Sequence, residues 1–243
     1  TNFIMLTPSH AGLLLAAVHA IGAEDVCGRR RAFLDLGAND GQSIHRFKRD
    51  WVPRAPTPYT SVTAFEMNSA FTSVLQQALR PFSGTVEVAA AWTADGTMLA
   101  NMQQPGSRTG SKNGIFYNMT SSALTVGGIA LNKHANSKQR AHIARMAHER
   151  TVEVRTIDLA RWLSAHFCRG DAVDVKMDIE GAEFEVLEHI LRTGSASLID
   201  TLAIEWHTTK RAQRGAKAVL LKRQSQILQE LRRSGVRVID WKL

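Results

Sequence analysis

The sequence predicts an α/β domain built on a doubly wound, mostly parallel sheet, and three observations carry that prediction. A short apolar run, Phe33, Leu34 and Leu36, turns through Gly37 and Gly41 into a helical repeat of Ile44, Phe47 and Trp51. Short apolar runs then alternate with amphipathic helical stretches along most of the 243 residues, the order that covers a parallel sheet on both faces. Finally, Asp35, Glu66, Asp178 and Glu205 each stand at the end of an apolar run. Doubly wound sheets take their ligands beyond the carboxyl ends of the strands. One such acid is an ordinary helix cap; four ask for a ligand.

The elements follow in order. Thr7, Pro8 and Ser9 ahead of Leu14, Leu15, Val18 and Ile21 read as a capped amphipathic helix flanking the sheet, so that residues 1–28 form an N-terminal helical flank. The first strand ends at the glycine turn, and Ser61 to Phe65 form the second, closed by Glu66. Phe71, Val74, Leu75 and Leu79 mark a helix, and Thr85 to Ala91 alternate as a third strand. Residues 95–150 lose this regularity: a Gly- and Ser-rich loop spans 103–114, a short strand falls within 122–131, and a basic helix covers 134–150. They read as an insertion over the active-site end of the sheet, long irregular segments being either functional or mobile.

Alternation then resumes. A strand at Val152 and Val154 precedes a helix through Leu159, Trp162, Leu163 and Phe167, and a strand from Ala172 to Met177 ends at Asp178. A helix carries the stripe Ala182, Val186, Leu187, Ile190 and Leu191. Leu198 to Ile204 is the next strand, ending at Glu205; a basic amphipathic helix through Leu220, Ile227, Leu228 and Leu231 leads to a last strand, Val236 to Trp241.

With 44% hydrophobic and 21% charged residues the composition is that of a globular protein, which sets aside fibrous and disordered classes. One domain with an insertion accommodates the length. The longest early apolar stretch, Gly12 to Gly22, is far short of the ~20 residues a membrane span needs, and no cleavable signal is evident. The chain begins with Thr1 rather than Met, as if trimmed from something longer. Asn118, Met119 and Thr120 match a glycosylation acceptor, a motif short enough to arise by chance. Cys27 and Cys168 make no metal cluster and no disulfide framework. They are read as free thiols in a reducing compartment, hence a cytoplasmic protein.

Two blocks carry a family resemblance: Phe-Leu-Asp-Leu-Gly-Ala-Asn-Asp-Gly over 33–41 and Val-Lys-Met-Asp-Ile-Glu-Gly-Ala-Glu over 175–183. Together they resemble the FkbM-type S-adenosylmethionine-dependent methyltransferases, and residues 154–158 and 204–207 are similar to that family's flanking blocks. The resemblance implies the class I methyltransferase fold, a seven-stranded sheet whose last strand is antiparallel, and methyl transfer to hydroxyl oxygens of sugars and natural products. By position it implies that Asp35, Gly37, Asn39 and Gly41, with Ala38, Asp40 and Ser43, hold the methionine end of the cofactor. Glu66 would take the ribose hydroxyls, Met67 would pack near the adenine, Ala91 and Trp92 would form its edge, and Asp178 would approach it from the facing strand.

An alcohol acceptor needs a base or a metal, being a poor nucleophile while protonated. Asp178, Glu180, Glu205 and His207 converge at two neighbouring strand ends, with His207 or Asp178 as the base. Alternatively Asp178 and Glu205 bind Mg2+ through hard oxygens. The plain structural alternatives are a His207 that merely pairs with a carboxylate, a Glu183 that only suits the dipole of its helix, and a Lys176 that pairs with an acid inside its strand. The Asn/Asp-Pro-Pro-Tyr type of block that accompanies amine methylation is absent after residue 177, which favours oxygen as the acceptor, a sugar hydroxyl of a glycan or glycoside.

Other functions compete. A net charge of +8 and the basic residues Lys210, Arg211, Arg214, Lys217, Lys222, Arg223, Arg232 and Arg233 fit a methyltransferase acting on nucleic acid, although few aromatics accompany them to stack bases. A non-catalytic, cofactor-binding module of a larger protein is another reading. An NAD enzyme is disfavoured by Asn39, whose side chain crowds the pyrophosphate position.

Overall fold

The computed structural model describes residues 30–101, 117–118, 125–126, 129–130, 151–207 and 216–241. The expected N-terminal helix, the 103–114 loop and the 134–150 helix lie outside these residues, as do Cys27, Lys210, Arg211 and Arg214.

The central sheet contains β1 (Arg31–Leu36), β2 (Ser61–Phe65), β3 (Thr85–Glu87), β10 (Ala172–Met177), β11 (Thr201–Ile204) and β12 (Arg237–Asp240), in the spatial order β12-β11-β10-β1-β2-β3. All five neighbouring pairs are parallel. The fold class is as expected, but this sheet has six strands among the described residues, and its last strand is parallel rather than antiparallel. The reason is the connection: an 18-residue helix, α5 (Ala216–Arg233), carries the chain between β11 and β12. A helical crossover returns the strand in the same direction, as a hairpin would not.

Neighbouring residues of β1 point to opposite faces. Leu34 and Leu36 join one core with Leu163 of α3 (Leu159–His166), Val186 and Leu187 of α4 (Glu183–Thr193), and Leu231 of α5. Phe33 joins the other with Ile44 and Phe47 of α1 (Gln42–Asp50) and Leu75 and Leu79 of α2 (Thr72–Leu79). There the Phe33 and Phe47 rings stack with centroids 3.9 Å apart. Each fully buried ring stabilises the fold by roughly 1.5–3 kcal/mol.

The expected third strand is two. β3 ends at Glu87, and after a step at Val88 and Ala89 the chain enters a second sheet as β4 (Ala90–Trp92). In that sheet β4 runs parallel to β9 (Thr151–Asp158), which pairs antiparallel with β5 (Gly96–Asn101), itself antiparallel to β6 (Tyr117–Asn118). A two-stranded pair, β7 (Thr125–Val126) and β8 (Ile129–Ala130), stands apart. The step from one sheet to the other brings three small residues, Ala89 to Ala91, to the rim of the central strands.

Cys168, read as a free thiol, is disulfide-bonded, and the chain holds one other cysteine, Cys27. The cytoplasmic expectation loses the support it drew from them. Among the described residues no helix is long and apolar enough to cross a membrane.

Candidate active site

The carboxyl ends of β1, β2, β10 and β11 meet as the doubly wound topology requires. Gly37 has φ +78°, and a Cβ there would lie 2.0 Å from the backbone oxygen of Asp178. Glycine is thus dictated by the neighbouring loop of the protein as well as by any ligand. Lys176, 2% exposed, ties the same two loops. Its Nζ donates to the carbonyl oxygen of Gly37 at 2.8 Å and pairs with Asp35 at 3.1 Å and, more loosely, with Asp178 at 3.9 Å.

Asp35, expected at the cofactor, is buried at the end of β1. Its carboxylate is fully buried, and besides Lys176 it accepts a hydrogen bond from the Ser43 hydroxyl. An acid in mid-sheet is costly unless paired, and Ser43 and Lys176 are its pairing. Both Asp35 and Ser43 therefore act inside the fold. Asp40, just ahead of α1, accepts from the backbone N–H of Gln42 at 3.3 Å. Asn39 (φ +49°) and Gly41 (φ +87°) take left-handed conformations that shape the turn, and Ala38 is buried in the second core.

Glu66 is the residue that meets both fold and ligand space. One oxygen accepts from the N–H of Asn39 at 2.8 Å and the other from Asn68 at 2.7 Å. Burial pushes its carboxyl above the ordinary range, against the pull of those two N–H groups. Each oxygen keeps a second lone pair. Glu66 lines an open cleft with Gly37, Phe65, Met67, Ala89 to Ala91, Asp178 and Ile179, an apolar lining with a few placed polar groups of the kind that suits a small organic ligand. Met67 and Ala91 are on that wall, whereas Trp92 is not among its lining and packs into the first core. Phe65, Ala89, Ala90 and Ile179 were not singled out in the sequence. Small and apolar residues at a strand end look the same in sequence whether they line a cleft or fill a core.

Asp178 borders this cleft and also a second cluster. His207, just past β11 and 4% exposed, points Nε2 at Glu180 (3.5 Å), Asp178 (3.7 Å) and Glu205 (3.7 Å). All four expected catalytic residues are together. The loop that holds two of them is tight: Glu180 adopts φ +56° and Gly181 φ +110°. A ring contact between Phe184 and Trp206, centroids 5.1 Å apart, clamps the start of α4 to the end of β11. Burial, reinforced by Glu205 and Glu180 and opposed by Lys176 and His207, pushes the Asp178 carboxyl up to about 6.

Glu183 is the unexpected member. It is fully buried, and its Oε1 accepts from the N–H of Ile179 (3.2 Å) and of Gly181 (3.0 Å) and lies 2.9 Å from His207 Nδ1. The dipole role expected of it understates what it does. No spacing rule could have found a pairing across two loops.

The oxygen pair expected for Mg2+, Asp178 with Glu205, differs from the set of three potential ligands that the structure gathers. Asp178, Glu180 and His207 each bring one atom within 4.8 Å of the others. An imidazole nitrogen in the set belongs to proton transfer or to a borderline metal rather than to magnesium.

Residues 35–238 match the profile described as the methyltransferase FkbM domain. Among solved structures, the crystal structure of methyltransferase FkbM from Methylobacillus flagellatus KT is similar at 16% identity and a TM-score of 0.37. The similarity covers 82% of this chain and 37% of that one, so this chain spans well under half the length of that relative. A comparison with curated proteins gave no match.

Proposed function

The chain belongs to the FkbM methyltransferase family, and on that premise we propose that it transfers the methyl group of S-adenosylmethionine to a hydroxyl oxygen, most plausibly of a sugar in a glycan or glycoside. The observation that carries the proposal is Asp178, which borders the apolar cleft on one side and the His207 cluster on the other. A cofactor in the cleft and an acceptor at the cluster would meet there.

The residues fit this cofactor. Phe65, Met67, Ala89, Ala90, Ala91 and Ile179 offer a flat, apolar adenine wall. Glu66, its carboxylate fixed by two backbone N–H groups, keeps lone pairs for the ribose hydroxyls. When bound, the cofactor supplies an electrophilic methyl on a positively charged sulfur. Among the protein's own groups, Asp178, Glu180 and Glu205 offer carboxylates that accept hydrogen bonds from sugar hydroxyls. His207 Nε2, set among them, would take the proton of the acceptor hydroxyl, and the imidazolium so formed would be held by these carboxylates. Orienting the two reactants supplies much of the rate, and proton removal contributes typically 10²–10⁴-fold.

Of the basic residues that fit a nucleic-acid reading, Arg223 is engaged by Glu185 and Glu188. The test is a thermal shift with S-adenosylhomocysteine followed by labelled-methyl transfer onto a panel of glycosides. Absence of any stabilisation by S-adenosylhomocysteine sinks the proposal, and transfer to amines but not to glycan hydroxyls removes its acceptor.

A further inference from the structure

We propose that Glu183 is the positioning residue of His207, holding the imidazole as the Nδ1–H tautomer so that Nε2 faces the acceptor as a base. The inference rests on the hydroxyl methyl-transfer reading above. Glu183 Oε1 already receives the N–H groups of Ile179 and Gly181. A carboxylate oxygen has lone pairs and no proton to give, so at 2.9 Å it is Nδ1 that donates. In the neutral ring the tautomer is then fixed, and the basic lone pair sits on Nε2, the nitrogen directed at Asp178, Glu180 and Glu205.

Capping alone does not account for the arrangement. The N-cap of α4, Ala182, offers no side-chain cap, and Glu183 turns back to satisfy the two N–H groups of the loop before it. That task needs nothing from His207, which comes from β11, 24 residues further along. The fold nonetheless brings the imidazole to this oxygen. It also buries the pair, Glu183 completely and the His207 side chain to 5% exposure, where a charge-assisted hydrogen bond is stronger than in water. After proton transfer, the imidazolium keeps Glu183 on Nδ1 and three carboxylates around Nε2. Buried acid, histidine and reacting group in line are the arrangement in which a carboxylate sets the tautomer and stabilises the charged ring.

The test is made on the whole chain carrying ¹⁵N-histidine, with the His207→Gln variant to assign the resonances. Nitrogen-15 NMR of the wild type is expected to report a protonated Nδ1 and an unprotonated Nε2. Glu183→Gln, near in shape, is expected to melt close to wild type and to bind S-adenosylhomocysteine with unchanged affinity. It should mix the tautomers and lower kcat by 10-fold or more while leaving the KM for the cofactor nearly unchanged. Glu183→Asp, which keeps the charge on a shorter arm, is expected to recover part of that loss. An Nε2–H tautomer in the wild type overturns the proposal, as does a Glu183→Gln enzyme with wild-type kcat. If the wild type turns over no hydroxyl acceptor, the functional reading fails by itself, and the tautomer measurement still decides the role of Glu183. Should Glu183→Gln fold poorly, the Glu183→Asp tautomer and kcat decide.

Discussion

Replacing Glu180 separates backbone strain from charge in the candidate site. At φ +56° Glu180 occupies the left-handed region, which costs an L-residue roughly 1–2 kcal/mol. Glycine enters that region freely but adds unfolded-state entropy, a disadvantage of about 0.4–1 kcal/mol. Glu180→Ala removes the carboxylate and keeps the strain; Glu180→Gly removes both. The glycine variant should therefore be the more stable of the two by roughly 0.5–1 kcal/mol, or about 1–3 °C in Tm for a chain of this size. Circular dichroism melts of the two variants measure the difference. Methyl transfer should fall in both, because each loses the oxygen 3.5 Å from His207 Nε2. A glycine variant no more stable than the alanine one would refute the strain argument. Full activity in both would remove Glu180 from the acceptor site.

Gly37→Ala should destabilise the fold by more than about 3 kcal/mol, read from urea midpoints, since its Cβ would collide with the Asp178 carbonyl in a conformation alanine avoids. Asp178→Asn should change how stability depends on pH. The folded carboxyl titrates near 6 against an ordinary 3.8, so the folded state binds more protons and wild-type stability falls as pH rises from about 4 to 6. The variant lacks this loss, so its advantage over wild type should grow by on the order of 2 kcal/mol across that window; a constant difference in urea titrations at pH 4 and 7 would disprove the shift. Cys168 should resist iodoacetamide in the unfolded chain until a reductant is added, as peptide mass spectrometry reports, because it is disulfide-bonded.

The sequence was most legible where one chemical demand dominates a position. Apolar runs 33–36 and 172–177 had to be central strands, and their terminal acids had to share one edge. Asp178, Glu180, Glu205 and His207 were therefore brought together on topology alone. The pairing of Asp35 was not legible, because its partner Lys176 comes from 141 residues away. Glu183 was undervalued because a first-turn acid has a sufficient local explanation, and the histidine that changes its meaning is on another strand. The six parallel strands differ from the expected seven because the order of β11, α5 and β12 obeys a connection rule that the family resemblance had overridden.

The Lys176 tie has a consequence for how the site is assembled. The Nζ of Lys176 and the carbonyl of Gly37 are 139 residues apart in sequence. Closing a loop of that length costs roughly 4 kcal/mol of chain entropy, met only once β1 and β10 pair along their whole register. The glycine turn after β1 and the loop after β10 therefore have no partly folded version in which one exists without the other. Yet entropy of this kind grows slowly: doubling the intervening chain adds about 0.6 kcal/mol. The chain between β5 and β9 can thus differ in length at little entropic cost while the lysine keeps the ends of β1 and β10 in register.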